Sequence, residues 1–105
     1  MKPLTDAIPD AHIVIDLEPA RLGHHVLVCL SGTTETNIER AIIARTLSAD
    51  YHQSFRSEIT AAIDKSLDWL LSQCLLGATP YDQLFLTLAG QDAAALYADE
   101  IAYDV

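Results

Sequence analysis

The sequence predicts an α+β domain, with an N-terminal antiparallel β-hairpin (about 12–18 and 24–30) followed by three or four helices (about 34–47, 51–76, 80–88 and 93–102). Three observations carry that expectation. Residues 12–18, HIVIDLE, alternate with the period of a strand. Residues 24–30, HHVLVCL, are rich in β-branched side chains and follow a turn-like PARLG. From Tyr51 to Cys74 apolar residues recur at three- and four-residue steps, the mark of an amphipathic helix. With 105 residues, 50% of them hydrophobic, the chain is long enough for one compact domain, residues 1–105, with 1–11 as an N-terminal arm.

In the hairpin, Ile13, Ile15 and Leu17 would pair with Cys29, Leu27 and His25 on one face. The other face would collect Val14, Val26, Val28 and Leu30. A two-stranded ribbon apolar on both sides needs cover on both sides. Helices would supply one layer and a third strand or a second copy the other, which makes Val14, Val26, Val28 and Leu30 a packing or dimer surface and a homodimer with a shared sheet the expectation.

After SGTTETN, Thr33 or Thr34 would cap a helix running to about Leu47, with Glu35 and Glu39 early in it. The next helix, 51–76, would measure about 39 Å at 1.5 Å per residue, so part of it must bend, break or project, and Gly77 would close it. In TPYDQ, Thr79 as cap and Pro80 at the first position open a short helix over 80–88, against which stands the strand-like alternation of Leu84, Leu86 and Leu88. Gly90 would then break the chain, and Asp92 would cap a final Ala-rich helix.

The formal net charge is −9, from 15 acids against 6 Lys and Arg, and no basic residue follows Lys65. Nucleic-acid affinity rests on cations that displace counterions from phosphates, so this balance argues against DNA and RNA. It argues equally against an anionic bilayer. No apolar run reaches the ~20 residues of a spanning helix, and MKPLTDAIPD does not read as a secretory leader. A cytoplasmic protein with two reduced cysteines is the expectation.

Neither a metal site nor a cofactor site is expected. On a strand His24 and His25 would point to opposite faces, and no ligand set closes with His12 and His52. A cysteine nucleophile at Cys29, with a histidine and Asp16, is the weakest option, because His25 would stand about 13 Å away along the strand. The carboxylate pairs Asp64/Asp68 and Glu100/Asp104 read as solvated neighbours. On the last helix, by contrast, Asp92, Asp99, Glu100 and Asp104 share one arc that contains Leu96 and Tyr103. Apolar and aromatic anchors ringed by charge suit a selective protein interface.

Small size, strong acidity and absence of catalytic chemistry together resemble, in type, phage-borne anti-defence proteins such as CRISPR inhibitors, and bacterial immunity proteins. The resemblance is one of type alone and implies a non-enzymatic inhibitor, immunity or anti-defence factor; the helical arc of Asp92, Leu96, Asp99, Glu100, Tyr103 and Asp104 is the surface expected to dock on a basic protein. The alternative is a structural or phage-assembly chaperone that binds through the apolar stripe of the 51–76 helix.

Overall fold

Pro19 opens a helix rather than ending a strand. In the computed structural model, which describes the backbone of residues 1–32 and 37–103 and the side chains among them up to Asp99, α1 spans Ala11–Asp16 and α2 spans Pro19–Ser31. Asp10 caps α1, its carboxylate accepting from the His12 amide at 2.9 Å. Leu17 and Glu18 are extended, as a residue preceding proline must be, and Pro19 takes the first position of α2, where its missing N–H costs nothing.

The predicted hairpin therefore does not exist. Along α2 the buried residues are Leu22, Gly23, Val26, Leu27, Cys29 and Leu30, spaced for a helix, and on α1 Val14 is fully buried while Ile13 is 52% exposed. The misreading has a physical origin. Residues 26–30 are all apolar and satisfy a period of two and of 3.6 equally, so only length can decide between them. Gly23, taken for a turn, lies inside α2 because a Cβ there would come within 2.9 Å of the Trp69 ring. The ribbon that called for a shared sheet is gone, and Val14, Val26 and Leu30 are consumed in the interior of the chain itself.

The helix expected at 34–47 is shorter and begins after a strand. Thr33, Thr34 and Glu35 lie outside the described residues; β1 is Ile38–Glu39 and α3 is Arg40–Ser48. Ile43, Ala44 and Leu47 face the core, while Ile42 is exposed. The long helix expected at 51–76 is interrupted. A 3-10 turn occupies Gln53–Phe55, and α4 runs over Arg56–Ser72. At 17 residues α4 is about 26 Å long, within the 33 Å extent of the molecule. Its stripe, Ile59, Ile63, Leu67 and Leu70, is 0% exposed. No part of it projects as an apolar seam.

Cys74, not Gly77, closes α4. It adopts φ 60°, its amide donates to Leu71, and the Leu75 amide reaches back to Leu70, the paired bonds of a Schellman cap. The chain then forms β2 (Leu76–Ala78) and β3 (Gln83–Leu86), so the helix expected at 80–88 is a strand. TPYDQ builds the turn between them: the Asp82 amide donates to the Thr79 carbonyl, Thr79 N–H donates to Gln83, and Asp82 takes φ 59°. Such a turn followed by one left-handed residue is a common three-residue hairpin connection. Thr79 caps no helix; its hydroxyl accepts from the Tyr81 and Gln83 amides inside the turn.

The sheet is antiparallel in the order β1-β3-β2, with Ile38 and Ala78 both opposite Leu84, and Leu76 opposite Leu86. Ile38, Leu76 and Leu84 turn one face to the core. The last helix, α5 (Leu88–Tyr103), starts five residues earlier than the predicted 93. Thr87 caps it, accepting from the Gly90 amide at 3.0 Å while donating to the Cys74 carbonyl at 2.8 Å. Gly90 lies inside this helix and Asp92 does not cap it.

The fold is mostly helical, with five helices and a small central sheet among the described residues. α4 packs on α1, α2, α3 and β2, and α2 also carries α5. From α2 onward the order is helix, strand, helix, helix, strand, strand, with α3 and α4 consecutive and β2 and β3 joined as a hairpin.

Candidate functional site

Whether α3, α4 and the β2–β3 hairpin could meet a phosphate backbone depends on the cations they leave free. Two of the four cations between Ile38 and Leu86 are spent on holding the unit together. Arg40 Nε donates to Asp64 at 2.7 Å, and one of its terminal nitrogens donates to the Asp64 carbonyl at 2.8 Å and to Asp68 at 2.7 Å. The Asp64 bond, more than any other cause, pushes the Arg40 pKa up. Arg56 closes the turn between the two helices, donating to the carbonyls of Tyr51 and Ala49. Arg45 and Lys65 are exposed, and α4 also carries Glu58, Asp64 and Asp68. The β2–β3 turn, Thr79 to Asp82, carries no cation.

The Asp64/Asp68 pair was expected to be a pair of solvated neighbours, and Arg40 was not singled out. A signal for it was present. Like charges four apart on a helix destabilise it unless a cation lies between them. Which cation fills that place depends on β1 delivering residue 40 to α4, and no local pattern reveals it.

α5 divides into two faces. Towards the body lie Gly90, Ala94 (2% exposed) and Tyr97, whose ring stacks on His24 at 3.8 Å between centroids and 12° between planes. Trp69 of α4 flanks the same imidazole at 5.6 Å. Outward lie Leu88, Ala89, Asp92, Ala95, Leu96 and Asp99. Of the predicted docking residues, then, Asp92, Leu96 and Asp99 are exposed on one strip. Glu100 and Tyr103 belong to α5, with side chains outside the described set, and Asp104 lies outside it altogether. Leu88, 81% exposed, was assigned to the preceding element by the sequence reading.

The remaining candidates fall apart. Val28 is half-buried on α2. His12 meets the edge of Phe55 at 4.8 Å, Asp16 is exposed on α1, and among the described residues no group of three or more His, Cys, Asp or Glu could hold a metal ion. Burial raises the Cys29 thiol to about 11, the opposite of what an activated nucleophile requires. Cys74 is exposed at the end of α4. Among the described residues no helix is long and apolar enough to cross a membrane.

No known protein family, curated protein or solved structure matches the chain.

Proposed function

We propose that this protein is a non-enzymatic binding module, an inhibitor, immunity or anti-defence factor, that docks on a basic protein surface through α5. The observation that carries the reading is the outward strip of α5, where Asp92, Leu96 and Asp99 stand exposed in a segment with no lysine or arginine. Engagement of Arg40 and Arg56 in internal bonds supports it, because it leaves α3 and α4 with few cations to offer a phosphate backbone. Burial of Ile59, Ile63, Leu67 and Leu70 weighs against the chaperone-like alternative.

Electrostatic steering makes association fast and salt-sensitive. The test is a pull-down from the native host at about 0.05 M and about 0.5 M salt, with the protein and with a variant carrying Asp92→Asn, Asp99→Asn, Glu100→Gln and Asp104→Asn. A partner held by the wild type at low salt should be lost at high salt and by the variant. A partner retained equally by both proteins at both salts overturns the reading.

A further inference from the structure

The strip on α5 has a spacing that specifies more than charge. Leu88 and Leu96, 81% and 65% exposed, are apolar knobs two turns apart, about 12 Å along the axis. Between them the surface is low, formed by Ala89 and Ala95, with Asp92 midway and Asp99 one turn beyond Leu96. A single face thus alternates apolar and anionic groups at helical pitch. Among the described residues the opposite side of α5 packs through Gly90, Ala94 and the stacked Tyr97, so the two leucines are left outward.

Charge decides what can cover this face. A second copy would bring Asp92 and Asp99 against their own equivalents, with no cation on either α5 to separate them. An anionic bilayer fails for the same reason. The complementary surface has apolar side chains at the pitch of Leu88 and Leu96 and cations at the pitch of Asp92 and Asp99. A lysine or arginine also suits Ala95, since its apolar stem can lie on the methyl while its head reaches a carboxylate. Resting on the docking reading above, we infer that the element α5 recognises is a basic amphipathic helix of the partner protein, laid along α5 with its leucine-like residues between the two knobs.

The experiment uses the full chain, isotope-labelled, titrated with three synthetic peptides of about 18 residues, or five helical turns. The first places Leu at i, i+3, i+4 and i+7 with Lys flanking. The second has the same composition scrambled so that the apolar face is lost. The third keeps the Leu pattern with Gln for every Lys. The patterned basic peptide should bind, shift amide signals between Leu88 and Asp99, and lose about tenfold or more in affinity against the Leu88→Ala/Leu96→Ala variant, whose helix content serves as the folding control. The scrambled peptide should bind about tenfold more weakly. Equal binding of scrambled and patterned peptides overturns the helix assignment and leaves acidic docking standing. Equal binding of the Gln and Lys peptides overturns acidic docking as well. Failure of all three, self-association through α5, or binding of anionic vesicles by α5 likewise overturns the inference.

Discussion

A Cβ placed on Gly90 would overlap the carbonyl oxygen of Leu75. The first turn of α5 thus lies directly on the backbone just before β2, close enough for Thr87 to bond both that carbonyl and the one before it. Two effects compete in Gly90→Ala. Alanine is the better helix former by about 1 kcal/mol, and the overlap forces α5 away from the body. The obstacle is main chain and cannot rotate aside, so the clash wins. We expect a net loss of more than about 2 kcal/mol in denaturant unfolding, together with faster hydrogen exchange throughout α5. A stabilised variant would show that α5 is not seated on Leu75.

Cys74 stands at φ 60° at the end of α4, and its side chain is exposed. A left-handed non-glycine residue costs ~1–2 kcal/mol, part of which is returned to the unfolded chain when glycine replaces it. Cys74→Gly should therefore stabilise the protein by about 0.5–1 kcal/mol in chemical denaturation. A destabilised variant would mean that the thiol makes a contact worth more than the strain.

Arg40 joins α3 to two acidic residues of α4 through three hydrogen bonds. Arg40→Met removes the cation that separates Asp64 from Asp68 and should destabilise by about 1–2 kcal/mol, more at low salt than at high. Arg40→Lys should recover little, because a single ammonium cannot span both carboxylates and the Asp64 carbonyl. Urea titrations of the three proteins at two ionic strengths check both statements.

Alkali should unfold the protein in a defined window. Burial raises Cys29 from 9.0 to about 11, and burial, with lesser contributions from Cys29 and Asp50, raises Tyr51 from 10.0 to about 12. Both groups are neutral when protonated, so the unfolded chain ionises first as pH rises. Their stabilisation is complete below pH 9 and lost as pH climbs through 9–11 for Cys29 and 10–12 for Tyr51, by up to about 3 kcal/mol each. The Tyr51 hydroxyl also donates to the Ile8 carbonyl, tying the N-terminal segment to the core. Unfolding midpoints measured across this range should fall steeply for the wild type, and Tyr51→Phe should retain only the earlier, Cys29 part of the slope.

Local signals in the chain were mostly genuine, and their assignment depended on length and context. Ile59, Ile63, Leu67 and Leu70 form a buried helical stripe as their spacing requires. Thr79 and Pro80, read as a helix start, lie instead in the turn that joins two strands. Leu84 and Leu86 do alternate, and they lie in β3. For the candidate surface, Asp92, Leu96 and Asp99 were readable as one helical arc, whereas Leu88 was not, because Gly90 looked like a break between elements. A glycine demanded by close approach and a glycine that ends a helix are identical in sequence.

Composition and periodicity by themselves determined an acidic chain with few cations, a strongly amphipathic central helix and an acidic final one, because charge count and side-chain spacing are properties of the chain alone. Tertiary structure decided the rest. α1 and α2 are helical because α4 offers them a face to bury, Arg40 is a clamp because β1 carries it to Asp64 and Asp68, and Gly90 is a contact because Leu75 lies beneath it. Each of these follows from a pairing between residues distant in sequence, and the free energy of such a pairing is written in neither partner's neighbourhood.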